Sequence, residues 1–149
     1  MTQVQAQGNP DFQMEFDLDM NFVILKHLGV VDRKTAIERS ILLRDHSLYR
    51  QGLNRLVDVR NCIFDMNVQD IREFADILKQ NRGLSSIHKE ALIVDTLLNH
   101  GLFRVLVGMM STTAIEFRIF KADSPTLAID IKQWLDVPDE YQFPEFVDI

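Results

Sequence analysis

A chain of 149 residues fits one domain, and a domain of that size buries roughly 68 to 70% of the surface its unfolded chain exposes, so no structural metal or disulfide is required. Its 46% apolar and 26% charged residues are those of an ordinary globular fold. The net charge of -6 argues against a general binder of nucleic acid or of anionic membranes, because Lys and Arg supply most of the affinity for such polyanions.

Residues 1–12 are polar, Gln-rich and broken by Gly8 and Pro10, which predicts a flexible N-terminus. The folded domain is expected over 13–137. Met14, Phe16 and Leu18 alternate with Glu15, Asp17 and Asp19, and a second extended run covers Phe22 to Leu28. With Asp19 and Asn21 as turn residues between them, the two runs read as a hairpin. Gly29 is expected to end the second strand. Asp32 is placed to cap a helix from Arg33 to about Arg50, with Ile37, Ile41 and Leu48 on one face and Gly52 as its stop.

The rest of the chain repeats a strand-helix plan three times. Leu53 to Val59 reads as a strand, after which Asn67 caps a helix whose Val68, Ile71, Phe74, Ala75 and Leu78 form an apolar stripe, closed by Gly83. Ala91 to Leu97 is nearly all apolar, as in a strand covered on both faces, and Asn99 or His100 introduces a third helix to about Met110. In the last unit Ile115, Phe117 and Ile119 alternate with Glu116 and Arg118. The period then changes to helical through Leu127, Ala128, Ile131, Trp134 and Leu135, with Ser124 as cap and Pro125 at the first helical position. The fold class is therefore α/β: a mixed sheet of about five strands, an N-terminal hairpin followed by parallel crossovers, and four main helices. Residues 138–149 have two prolines and no period, and are expected to form an extended tail.

Cys62 is the one cysteine, which rules out an intramolecular disulfide and points to a reducing, cytoplasmic setting. No apolar run approaches the ~18 residues that span a bilayer. Between Arg33 and Arg60 seven basic residues stand against three acidic ones, a pattern read as arginines scattered on a solvated helix face.

Candidate chemistry is sparse. Asp65 and Asp95 lie after parallel strands, where ligands of open α/β sheets collect, and are the best candidates for a polar site. His100, five residues after Asp95, is the candidate acid or base for a catalytic alternative. Asp65, Thr96 and Lys121 sit where a phospho-receiver keeps its later site residues, but its first-strand acidic pair has no counterpart. His27, His46, His88 and His100 share no ligand spacing, and no phosphate loop occurs, so neither a metal nor a cofactor is expected. The third helix carries Leu102, Phe103, Val105, Leu106, Val107, Met109 and Met110 over most of its circumference. Either another subunit or the tail buries it, or it lines an apolar pocket.

The segments LNRLVDVRNCIFDMNVQDIREFADIL and IEFRIFKADSPTLAIDIKQWL, in this order of elements, resemble the STAS superfamily, and more closely its SpoIIAA-like bacterial branch, over about Met14 to Val137. That resemblance implies a small cytoplasmic domain acting through protein contact, with lipid-carrying CRAL-TRIO domains among its wider relatives. Anti-sigma antagonists of the superfamily carry a phosphorylatable serine at the start of the helix after the third strand; here the loop reads Asp65-Met66-Asn67-Val68, without a hydroxyl. The expected function is a non-enzymatic interaction module that binds a protein partner or itself as a homodimer, through Asp65, Asn67, Asp95, Asn99, His100, Phe103, Leu106 and Met110. A carrier of a small apolar ligand such as a fatty acid, held under the third helix, is the alternative.

Overall fold

The computed structural model describes residues 10–81 and 86–149. Strands β1 (Phe12–Asp17) and β2 (Phe22–Asp32) form the expected hairpin, turned by Asn21 at φ 57°, a left-handed conformation that Asn tolerates. Then follow α1 (Arg33–Arg44), β3 (Asn54–Asp65), α2 (Val68–Gln80), β4 (His88–Val94), α3 (Leu97–Met109), β5 (Ile115–Lys121) and α4 (Leu127–Leu135). The five strands lie side by side in chain order, with β1 antiparallel to β2 and the other pairs parallel.

Strand order explains the layers. Each parallel crossover moves one strand further in the same direction, so crossovers of one hand deposit α1, α2 and α3 on one face of the sheet. There Ala36, Leu43, Ile71, Ala75, Phe103 and Leu106 pack onto strand residues such as Met14, Leu25 and Leu92. The other face carries Phe22, Ile24, Leu56 and Ile93, covered by Leu127, Ile131 and Leu135 of α4 and by Val137, Tyr141 and Val147 of the tail. Each of these large side chains, once buried, contributes about 1.5 to 3 kcal/mol.

The structure corrects several boundaries. Gly29 does not end β2; it takes φ 74° within the strand, which continues to Asp32. Similarly, β3 runs six residues past Val59, to Asp65. Between the pairs Lys26–Asp58 and Leu28–Asn61, β3 has one residue more than β2, so Val59 and Arg60 sit opposite His27. This bulge lets Val59 and Cys62, three residues apart, both join the core under the helices. Helix α1 stops at Arg44 rather than near Arg50, and Gly52, at φ 89°, belongs to a later turn. Phe12, placed by composition in the loose terminus, opens β1 and is buried. Gly83 lies outside the described residues.

Asp32 and Asn67 cap α1 and α2 as expected, accepting from the amides of Thr35 and Asp70. Asp70 reciprocates by accepting from the amide of Asn67, a complete capping box. At α3 the cap is Thr96, not Asn99 or His100, and α4 begins after Thr126 without a side-chain cap, not at Ser124 and Pro125.

Candidate functional site

Between the sheet and the layer of α1, α2 and α3 lies a cavity of about 110 Å³. Strand alternation puts Leu25, Val57 and Leu92 on its floor, while Phe64, Phe103 and Leu106 form part of its walls, with Phe64 and Phe103 edge to face at 5.0 Å. An engineered interior cavity of roughly 150 Å³ stays dry and takes up benzene, so this space is of the size for one ring or a short alkyl chain.

Charged groups reach the cavity at two levels along β3. At its start, Arg55 is buried and pairs with Glu90 on β4, Nη1 to Oε1 at 2.7 Å, while its Nη2 donates to the Tyr49 hydroxyl at 2.8 Å. His88, two residues before Glu90 on the same face, has Nε2 at 3.0 Å from the same Oε1 and Nδ1 at 2.6 Å from the Ser86 carbonyl. Burial pushes the Glu90 carboxyl up, but Arg55 and His88 together more than reverse this, and its pKa lies below the ordinary value.

The second level, opposite Val59 in mid-strand, is about 13 Å further along, four residues at roughly 3.3 Å each. His27 of β2 and Arg39 of α1 meet there, with Arg39 Nη1 at 3.2 Å from His27 Nδ1 and Nη2 donating to the Leu28 carbonyl at 3.2 Å. The guanidinium lies over Phe12, 5.6 Å from the ring centre, and His27 packs against the same ring at 4.8 Å. Since arginine can only donate, His27 Nδ1 accepts and the ring proton sits on Nε2. Burial, and then the charge of Arg39, lower the His27 pKa to about 3.

The residues singled out in the sequence fall into three groups. Phe103 and Leu106 line the cavity, and Met110 is wholly buried in the same core without reaching it. Asn99 is buried and donates from Nδ2 to the Cys62 carbonyl at 3.3 Å, tying the start of α3 to β3. Asp65, Asn67 and Asp95 are exposed and His100 is half-buried, all toward the strand ends where α2 and α3 begin; no hydrogen bond or ion pair joins Asp95 to His100. Among the described residues no three His, Cys, Asp or Glu side chains gather in a form that could hold a metal ion. The tail packs on the sheet face opposite α3, so it is not what covers that helix.

The charged and titratable residues of the cavity, His27, Arg39, Arg55 and Glu90, are not among the sequence candidates. Two of the arginines assigned to a solvated face, Arg39 and Arg55, are each only 5% exposed. The signal was present: Val23-Leu25-His27, Arg55-Val57-Val59 and Glu90-Leu92-Val94 each put a charged or titratable group in step with core positions. On α1, Arg39 falls on the same stripe as Ala36 and Leu43.

No known family model matches the chain, and no curated protein does. A crystal structure of an uncharacterised protein of the DUF3478 family with a SpoIIAA-like fold, from Shewanella loihica PV-4, matches with a TM-score of 0.52 at 18% identity, covering 91% of this chain and 96% of that one. The fold is SpoIIAA-like. At such identity the likeness extends to architecture, and the site must be argued from this chain's own side chains.

Proposed function

We propose that this SpoIIAA-like domain is a binding module that takes a small apolar ligand between the sheet and the helices α1 to α3. The observation that carries this reading is the cavity of about 110 Å³, walled by Leu25, Leu92, Phe103 and Leu106. The apolar excess of α3 then has a use, since Leu102, Phe103 and Leu106 are cavity wall. Titration with hexan-1-ol, followed by methyl NMR, tests it. The methyls of Leu92, Leu102 and Leu106 should shift together and saturate, and unchanged spectra at millimolar alcohol would overturn the reading.

Association with a protein partner or a second copy is supported by a separate observation. Val30 and Ile63, paired in register on β2 and β3, are 60% and 66% exposed, and Val68, Leu97 and Leu98 at the starts of α2 and α3 are 53%, 90% and 68% exposed. The Asn99–Cys62 hydrogen bond brings the start of α3 to this end of β3. Such a group of apolar side chains at one end of a domain suits an interface. Sedimentation velocity of the native chain and of the Leu97→Asp, Leu98→Asp double variant is the measure: self-association lost in the variant supports it, and a monomer at all concentrations leaves a foreign partner as the remaining form.

A further inference from the structure

Arg39 carries its positive charge into the protein interior without an ion-pair partner among the described residues. It is 5% exposed, its two hydrogen-bond acceptors are a neutral imidazole and a main-chain carbonyl, and its Nε is buried with no partner. Among the described residues no carboxylate forms an ion pair with it. Asp11, whose charge acts on Arg39, is exposed. The other acidic group nearby, the Cys62 thiol, is pushed by burial up to about 12 and stays uncharged at neutral pH. Burying a guanidinium without an ion-pair partner is costly, and burial lowers the Arg39 pKa although the more distant Asp11 charge opposes it. Arg55 differs: it faces the same cavity but is neutralised by Glu90.

We infer that the ligand of the cavity is an amphiphile with an anionic end, a short-chain or aryl monocarboxylate, whose carboxylate is held by Arg39 while its apolar part lies over Leu25, Val57 and Leu92. This rests on the cavity being a ligand site, and it adds the chemical class and the orientation. An arginine fork and a carboxylate match in geometry and charge, and the pair supplies the missing counter-ion. Glu90 sets the direction. Its carboxylate is already matched by Arg55 at the far part of the cavity, so that end offers an anion no unpaired cation, which favours the apolar end toward β4 and the charged end toward α1.

The experiment compares hexanoate with hexan-1-ol at pH 7, by methyl NMR and by the Nε–H resonance of Arg39, in the native chain and in Arg39→Met. Hexanoate should shift the cavity methyls and the Arg39 Nε–H together in the native chain, and its affinity should fall about tenfold or more in R39M, the value of a charge-assisted hydrogen bond. Hexan-1-ol should bind both forms within about twofold, and ligand-free R39M should melt at or above the native temperature, because an unpaired buried charge has been removed. Equal hexanoate affinity in the two forms, or methyl shifts with an unmoved Arg39 Nε–H, would overturn the anchor and leave the apolar cavity standing. Failure of hexan-1-ol to bind would remove the cavity reading and this inference with it. If R39M fails to fold, the native Nε–H shift decides alone.

Discussion

Arg55 and Glu90 are register partners on adjacent parallel strands, and their side chains meet at 2.7 Å with 6% and 10% of their surfaces exposed. Removing one partner leaves the other charged and buried, which costs about 3 to 5 kcal/mol, whereas removing both leaves neither. Urea denaturation of Arg55→Met, Glu90→Leu and the double variant should show each single change costing more than the pair of changes together. Additive losses would mean that the two charges do not depend on each other.

Acid should destabilise the protein in two stages. His27 has its folded pKa depressed to about 3, so between the ordinary histidine value and that point the unfolded chain holds a proton that the native chain lacks. Stability from this group is therefore complete above about pH 6.5 and declines as pH falls, by at most about 1.4 kcal/mol per pH unit. Glu90, also depressed, adds its own loss at lower pH, as it protonates below the ordinary carboxylate range. In His27→Gln the first slope should disappear while the second remains, measured as urea midpoints from about pH 8 to 2.5.

Asn67 fills the cap position at the start of α2, in the loop after β3 that lacks a hydroxyl. Here its oxygen accepts from the Asp70 amide at 2.8 Å. Asn67→Ala should cost about 1 kcal/mol, and Asn67→Ser should cost less, because a hydroxyl also caps. Incubation of the native chain with a serine kinase should leave the mass of residues 63–70 unchanged, and a phosphate there would contradict the sequence reading of that loop.

The tail is held by its rings and by cations, among them Lys132, whose Nζ donates to the Asp139 carbonyl at 2.9 Å. Lys26 and Arg60 donate to the main-chain carbonyls of Phe146 and Val147, and Tyr141 stacks edge to face on Phe22 at 5.5 Å. Tyr141→Ala should cost about 3 kcal/mol or more, in the range for deleting a buried ring. Removal of residues 138–149 should uncover Phe22 and Ile24, read as a gain in binding of a hydrophobic dye.

The architecture was readable because periodicity and caps agreed. Asp32, Asn67 and the change of period after Ile119 mark three element boundaries by local chemistry alone. The boundary of β3 went astray because a tertiary feature decides it, a bulge that restores its facing beyond Val59, whereas the Thr96 cap of α3 uses the same local chemistry as Asn67 one unit earlier and was legible. The tail has no period, so nothing in its spacing reveals that Tyr141 and Val147 are core. For the site the obstacle was different. Arg39 and Arg55 look like surface residues by type, and their burial follows from which strand or helix face they share with Leu25, Val57 and Leu43.

Strand order has a consequence for assembly on the ribosome. Since every strand's neighbour is the next one in the chain, the sheet and its α1 to α3 layer can be added unit by unit as they emerge. The face bearing Phe22 and Ile24 waits longest, because its cover, α4 and the tail, is translated after all five strands. A nascent chain stalled before Leu127 would therefore present a finished cavity on one side and a bare apolar sheet on the other, the state most open to chaperone capture.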